Sequence, residues 1–171
     1  METIMVSLVT IGLIIVSTLT MLTSSFHAAA TLSDSWKEME AKASSIRNTH
    51  IVAVSSNYTG DNIVLTVENQ GATDLGDFPS WDVIAAYEDG TTEYMNYADY
   101  PPQGSGKWAV EGIYMTGGST EKFDLWILNP GEGMKMELNL SHTVSDNETV
   151  RVTIGTPNGV TSQCLMTKVM R

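Results

Sequence analysis

Three Asn-x-Ser/Thr triplets carry the best-defined chemistry in this chain: Asn57-Tyr58-Thr59, Asn139-Leu140-Ser141 and Asn147-Glu148-Thr149. Each is an acceptor pattern for an N-linked glycan, a modification of exposed segments in exported proteins. Asn57 and Asn147 fall in expected turns, and Asn139 on the polar face of an expected strand. The plainer reading of all three is surface asparagine. Acidic turns, Asp74 with Asp77 and Asp82 or Glu88 with Asp89, offer oxygen ligands to a cation. They lack EF-hand spacing and the six to eight oxygens that calcium takes, and read as solvated loops. His27, His50 and His142 are scattered, and the one cysteine, Cys164, forms neither a CxxC pair nor an intrachain disulfide. It sits in an apolar run as a small hydrophobe. No nucleophile-elbow, Walker or dinucleotide-binding pattern is present, and no serine is paired with a histidine. The sequence therefore points away from an enzyme and calls for no metal or cofactor.

The element that dominates the chain is a hydrophobic tail. After Glu2 there is no charged residue until Asp34, and the run from Ile4 to Val16 continues through Leu19, Met21 and Leu22 to Phe26. Trp36, Met39, Ala43 and Ile46 then recur at spacings of three and four among Lys37, Glu38, Glu40 and Lys42, an amphipathic continuation of one helix. A helix from residue 2 to about 47 is roughly 65–70 Å long at 1.5 Å per residue. A bilayer core needs about 20 residues, so the first half is long enough to span a membrane. A secretory signal would need a basic start, which is missing, although Ala28-Ala29-Ala30 imitates a cleavage site. Hydroxyls at Ser7, Thr10, Ser17, Thr18, Thr20, Thr23, Ser24 and Ser25, with Gly12, suit close packing of helix on helix. The alternative is an ordinary membrane anchor that happens to carry hydroxyls.

From His50 onward the period changes to two. Short apolar-alternating runs, separated by Gly, Pro, Asn and Asp, recur to the end of the chain; Met134 to Leu140 is the clearest half-buried strand. Trp81, Trp108 and Trp126 fall on expected strands and read as core. The fold class is α+β: an N-terminal hydrophobic helix over 1–47, then an antiparallel Ig-like β-sandwich over 48–171. A net charge of −11 and a pI near 4.5 exclude nucleic acid and anionic headgroups as partners of the β-part.

The order of these features resembles the archaellin family, the subunits and accessory proteins of the archaeal rotary filament. A hydrophobic helix precedes Val67-Glu68-Asn69-Gln70-Gly71, Trp81-Asp82-Val83, Leu128-Asn129-Pro130-Gly131-Glu132 and Thr156-Pro157-Asn158-Gly159-Val160. The resemblance implies an extracellular filament built like a type IV pilus, a helical homopolymer with helices in its core and β-domains outside. It places Ile4, Leu8, Ile11, Gly12, Ile15, Leu19, Leu22, Phe26 and Trp36 in the assembly helix. It also implies N-glycans, residence in the cytoplasmic membrane before assembly, and a leader removed by a prepilin-type peptidase. This sequence shows no basic leader: either it is the mature form, or it is an unprocessed relative such as an F- or G-type accessory protein. Such a protein would be anchored by the tail, with its β-sandwich binding the S-layer or cell envelope.

Overall fold

A computed structural model describes residues 2–59, 62–115 and 118–169, the side chains of Ser55 and Thr59 excepted. It contains one α-helix, α1 (Glu2–Asn48), and eight strands: β1 (Ile51–Thr59), β2 (Asn62–Asn69), β3 (Asp82–Tyr87), β4 (Thr92–Tyr97), β5 (Lys107–Tyr114), β6 (Gly133–Asn139), β7 (Thr149–Gly155) and β8 (Thr161–Thr167). A single 3-10 turn, Phe78–Ser80, leads into β3. The chain divides into two compact units, Met1–Ala43 and Ser44–Arg171, so the last turn of α1 belongs with the strands.

The strands form one mostly antiparallel sheet in the order β1-β2-β6-β5-β4-β3-β7-β8. It folds on itself around one core. Its two edge strands approach each other, where the Ala53 amide donates to Ser162 Oγ at 3.2 Å. The alternation seen in the sequence is what makes this core. In β2, Ile63, Leu65 and Val67 point inward; in β6, Met134, Met136 and Leu138; in β7, Val150, Val152 and Ile154, all fully buried. At about 1.5–3 kcal/mol per buried large apolar side chain, these positions supply the main folding term. Trp81 and Trp108 lie in the core, and the Trp81 indole N–H donates to the Gly76 carbonyl at 3.0 Å.

The sheet departs from the expectation in several places. β4 and β5 run parallel, over two residue pairs only, Asn96 with Lys107 and Tyr97 with Trp108. The chain loops through 98–106 and re-enters in the same direction, and two pairs leave no periodic signal. Asn57 lies in β1 rather than in a turn; of the expected turn Tyr58 to Asn62, Gly60 and Asp61 lie outside the described residues. Trp126 is not core but 62% exposed. Among the described residues its segment has no strand partner beyond a single bridge, Leu75 to Leu128, so its apolar residues have no sheet to alternate on.

Gly71 marks the tightest approach in the β-part. A Cβ there would collide with the Asn48 carbonyl oxygen and the His50 amide nitrogen, both backbone atoms. Gly71→Ala is therefore expected to displace the exit of α1 and to destabilise the β-part by about 1–3 kcal/mol, the usual cost of overpacking. A thermal melt of the full chain in mild detergent checks it; an unchanged midpoint would show that the backbone yields without cost.

Candidate functional site: the assembly helix and its junction

No residue of α1 is buried, although it holds the most apolar stretch of the chain. The helix is long and apolar enough to cross a membrane. Ile4, Leu8, Ile11, Ile15, Leu19, Leu22 and Phe26 recur at spacings of three and four, and every one is more than half exposed. The surrounding positions, Met5, Val9, Ile14, Val16 and Met21, are equally bare. A helix apolar all round belongs inside a larger apolar body. A chain that exposes this much contiguous apolar surface has an interaction site there.

Several hydroxyls of this helix are satisfied from within. Thr10 donates to the Val6 carbonyl at 2.8 Å, Thr18 to Ile14 at 2.9 Å, Thr20 to Val16 at 2.7 Å and Ser25 to Met21 at 2.8 Å. Back-bonding of this kind hides the polar O–H against the helix and leaves the outer surface apolar. An O–H bonded to its own helix in this way is not directed outward. At Gly12 an added Cβ would meet nothing within 4 Å apart from its own helix backbone. Trp36, at 65% exposure, sits among the first charges, beside the solvent-exposed pair Asp34–Lys37 at 3.7 Å. A pair so exposed adds little stability.

The turns singled out in the sequence converge on the junction where α1 enters the β-part. Asn158, from Thr156-Pro157-Asn158-Gly159, donates through Nδ2 to Ser45 Oγ at 3.1 Å and to Thr49 Oγ1 at 2.7 Å. Its Oδ1 accepts from the Thr156 hydroxyl at 2.6 Å. The Ala72 amide donates to the Asn48 carbonyl at 2.7 Å, closing the end of the helix. Asn69 is fully buried; its Nδ2 donates to the Thr73 and Leu128 carbonyls at 2.8 and 2.9 Å, and its Oδ1 accepts the Gly71 amide. The Asn129-Pro130-Gly131-Glu132 turn docks on the same asparagine: the Gly131 amide donates to the Asn69 carbonyl at 2.7 Å and the Asn69 amide to that of Glu132 at 2.9 Å. Gly131, with φ 84, takes a conformation that side chains resist. These turns form one polar clamp that fixes the last helical turn to the strands.

Sequence reasoning passed over two buried carboxylates here. Glu132 Oε2 accepts the Asn129 amide at 2.8 Å, closing its turn. Glu121, 4% exposed, accepts the amides of Lys122 and Phe123 at 2.8 and 2.7 Å. Glu121 has no sequence signature, because a carboxylate binding its own next two amides leaves no spacing to read. The Phe123 and Lys122 amides hold the Glu121 carboxyl below its ordinary value. A depressed carboxylate stabilises the fold fully above the unfolded value, about 4.3, and that stabilisation is lost as pH falls through the lower folded value. Acid is thus expected to release the 121–128 loop below pH 4 before the strands melt. Hydrogen exchange at the Lys122 and Phe123 amides reads it, and protection that persists to the global acid transition would contradict it.

Of the glycan acceptors, Asn57 and Asn147 are exposed, whereas Asn139 is half-buried at the end of β6. Asn147 adopts a left-handed turn, φ 67. Of the acidic turns, Asp89 faces His142 at 3.5 Å and Asp82 accepts the Tyr94 hydroxyl at 2.8 Å. Among the described residues, no three His, Cys, Asp or Glu side chains converge as a metal site. Cys164 is half-buried, 3.6 Å from Ser56 Oγ across the β1–β8 seam.

A long exposed apolar helix followed by a β-domain is the construction expected of a filament subunit. Residues 3–164 match the archaeal-type flagellin family, and the chain belongs to it. Solved structures give the same fold. The archaeal flagellum of Methanospirillum hungatei strain JF1 matches at a TM-score of 0.56 and 13% identity, covering 93% of this chain and 90% of that one. Archaeal flagellin FlaB1 from Methanocaldococcus jannaschii matches at 0.55 and 12%, covering 71% and 90%. The archaellum periplasmic stator protein FlaG from Sulfolobus acidocaldarius matches at 0.54 and 22%, covering 69% and 99%. No curated protein sequence matches the chain. The protein is a structural subunit of an archaellum-type filament at the cell surface.

Proposed function

We propose that this chain polymerises through its first 33 or so residues, which stand in the membrane before assembly and in the filament core afterwards. The observation that carries this reading is the bare apolar surface of α1, where the large apolar side chains from Ile4 to Phe26 are each more than half exposed among the described residues. Burial among neighbours at about 25 cal/mol per Å² supplies the assembly energy, and non-closing contacts between identical subunits give an open helix. Lys, Arg, Asp and Glu are absent between Glu2 and Asp34, so the same segment suits lipid and helix core alike. Asn147 and Asn57 are the sequons best placed for glycans, on the outer domain.

A second reading is an anchored accessory protein, supported by the FlaG match. That match spans about the share of the β-part alone, as does the match to flagellin FlaB1, so the β-part is common to both readings. The match of residues 3–164 to the archaeal-type flagellin family, which takes in the helix, favours the polymer. Shearing cells that make the protein, imaging the released material and determining the N-terminus by mass spectrometry separates the two. Filaments composed mainly of this chain support the polymer; recovery only with the membrane fraction supports the anchored protein.

A further inference from the structure

The hairpin between β7 and β8 carries the one Asn-Gly pair of this sequence, Asn158-Gly159. Each residue answers a separate need. Gly159 takes φ 90, a left-handed conformation that a side chain would strain. Asn158 supplies a donor to the end of α1: its Nδ2 reaches Ser45 Oγ at 3.1 Å and Thr49 Oγ1 at 2.7 Å. The Thr49 hydroxyl gives its own proton to the Ser45 carbonyl at 2.8 Å, so toward Asn158 it can only accept. An aspartate in this place would set a carboxylate against an oxygen lone pair. Two structural needs therefore put side by side two residues that are chemically labile as a pair.

The lability is that of an asparagine followed by a residue without a side chain, whose amide meets no steric barrier. The Gly159 amide nitrogen can attack Asn158 Cγ. A new C–N bond forms, the Cγ–Nδ2 bond breaks, and ammonia leaves with the proton that the attacking amide gives up. Water then opens the five-membered succinimide at either carbonyl, giving aspartate or isoaspartate. No oxidant, reductant or cofactor takes part. Each product places a carboxylate where an amide donor stood.

In the folded chain both reacting groups are tied down. The Gly159 amide donates to the Thr156 carbonyl at 2.8 Å, which holds its nitrogen in the turn. The Asn158 side chain is held at both ends, Nδ2 by Ser45 and Thr49 and Oδ1 by the Thr156 hydroxyl at 2.6 Å. Gly159 is itself exposed, so water is at hand for the hydrolysis. The freedom of Asn158 is thus what limits the reaction. The partners of its Nδ2 come from the last turn of α1 and the residue just beyond it.

We propose that Asn158 is a deamidation site gated by the α1 junction. It is closed while α1 is clamped and open when the junction parts, and its product keeps the clamp from closing again. Asn158 is then an irreversible mark of chains whose helix has come loose. This holds whether or not the chain polymerises.

The test follows the tryptic peptide 152–168 of the full-length chain, kept in mild detergent and mildly alkaline buffer, by mass spectrometry that separates asparagine, aspartate and isoaspartate at position 158. Conversion in the folded chain should be at least about 10-fold slower than in the same chain unfolded in guanidinium, an opening cost of about 1.4 kcal/mol or more. Ser45→Ala combined with Thr49→Val should raise the folded-chain rate at least about 5-fold. Thr49→Ser, which keeps the hydroxyl, should leave it unchanged. Equal rates in the folded and unfolded chain overturn the proposal. So does a double variant that folds and reacts at the wild-type rate, since the protection would then lie in the turn alone. Should the double variant not fold, the unaltered chain decides. Hydrogen exchange at the Ala72 amide, which donates to the Asn48 carbonyl, reports the junction. Exchange and conversion should rise together across low denaturant concentrations, and a rise in either without the other refutes the gate. Asn158→Asp, the direct product, should speed that exchange at least about 5-fold. Exchange at the wild-type rate would show that the clamp closes on a carboxylate and overturn the irreversible step.

Discussion

Ile15→Glu is expected to abolish filaments while leaving the β-part folded. Ile15 is 56% exposed in the single chain, so the substitution harms nothing within one subunit. In a packed helix core it buries a carboxylate without a partner, at an effective cost of several kcal/mol per copy. Because each 1.4 kcal/mol is a factor of ten, the concentration needed for assembly should rise at least about 100-fold. The same charge also disfavours residence in a membrane, so a second variant isolates packing. Gly12→Leu makes the helix more apolar and a better helix former by about 1 kcal/mol, and its side chain has open space in the subunit. It should still block assembly, because the proposed core brings another helix close at Gly12. Filaments at wild-type yield from both variants would show that α1 is not the polymerising surface.

Asn69→Ala is expected to cost the β-part about 3 kcal/mol. The side chain supplies two buried donors, to Thr73 and Leu128, and one acceptor, to Gly71. Each buried group left unsatisfied costs about 1–3 kcal/mol. Asn69→Asp should be worse, since it keeps the acceptor but sets a carboxylate against two carbonyl oxygens. Melting followed by the near-ultraviolet signal of Trp81 and Trp108 ranks wild type above Ala above Asp. A reversed order, or melts within 0.5 kcal/mol of one another, would show that the clamp is not what holds the loops at this end.

Much of this was legible because two periods do the writing. The uncharged run to Phe26 could only be a helix with apolar surroundings, and alternation in Ile63–Val67 and Met134–Leu138 placed the core residues correctly. What escaped depends on contacts between distant segments. Asn69 was visible as a strand break, but that it receives the Asn129–Glu132 turn across the fold has no local signature. Trp126 looked like core because its neighbours are apolar; only the absence of a partner strand puts it outside. Three of the four segments that carry the family resemblance, those with Asn69, Asn129–Glu132 and Asn158, meet at or beside the last turn of α1, so that part of the resemblance follows from packing there.

The central claim, that the N-terminal helices of this chain form the core of a filament, is met most directly by a high-resolution helical reconstruction of sheared filaments. The account predicts an axial core of packed rods, each accommodating Ile4 to Phe26 with Gly12 against a neighbouring helix, and the eight-stranded domains outside. A core built from β-domains, or from another protein with this chain decorating its surface, would contradict it.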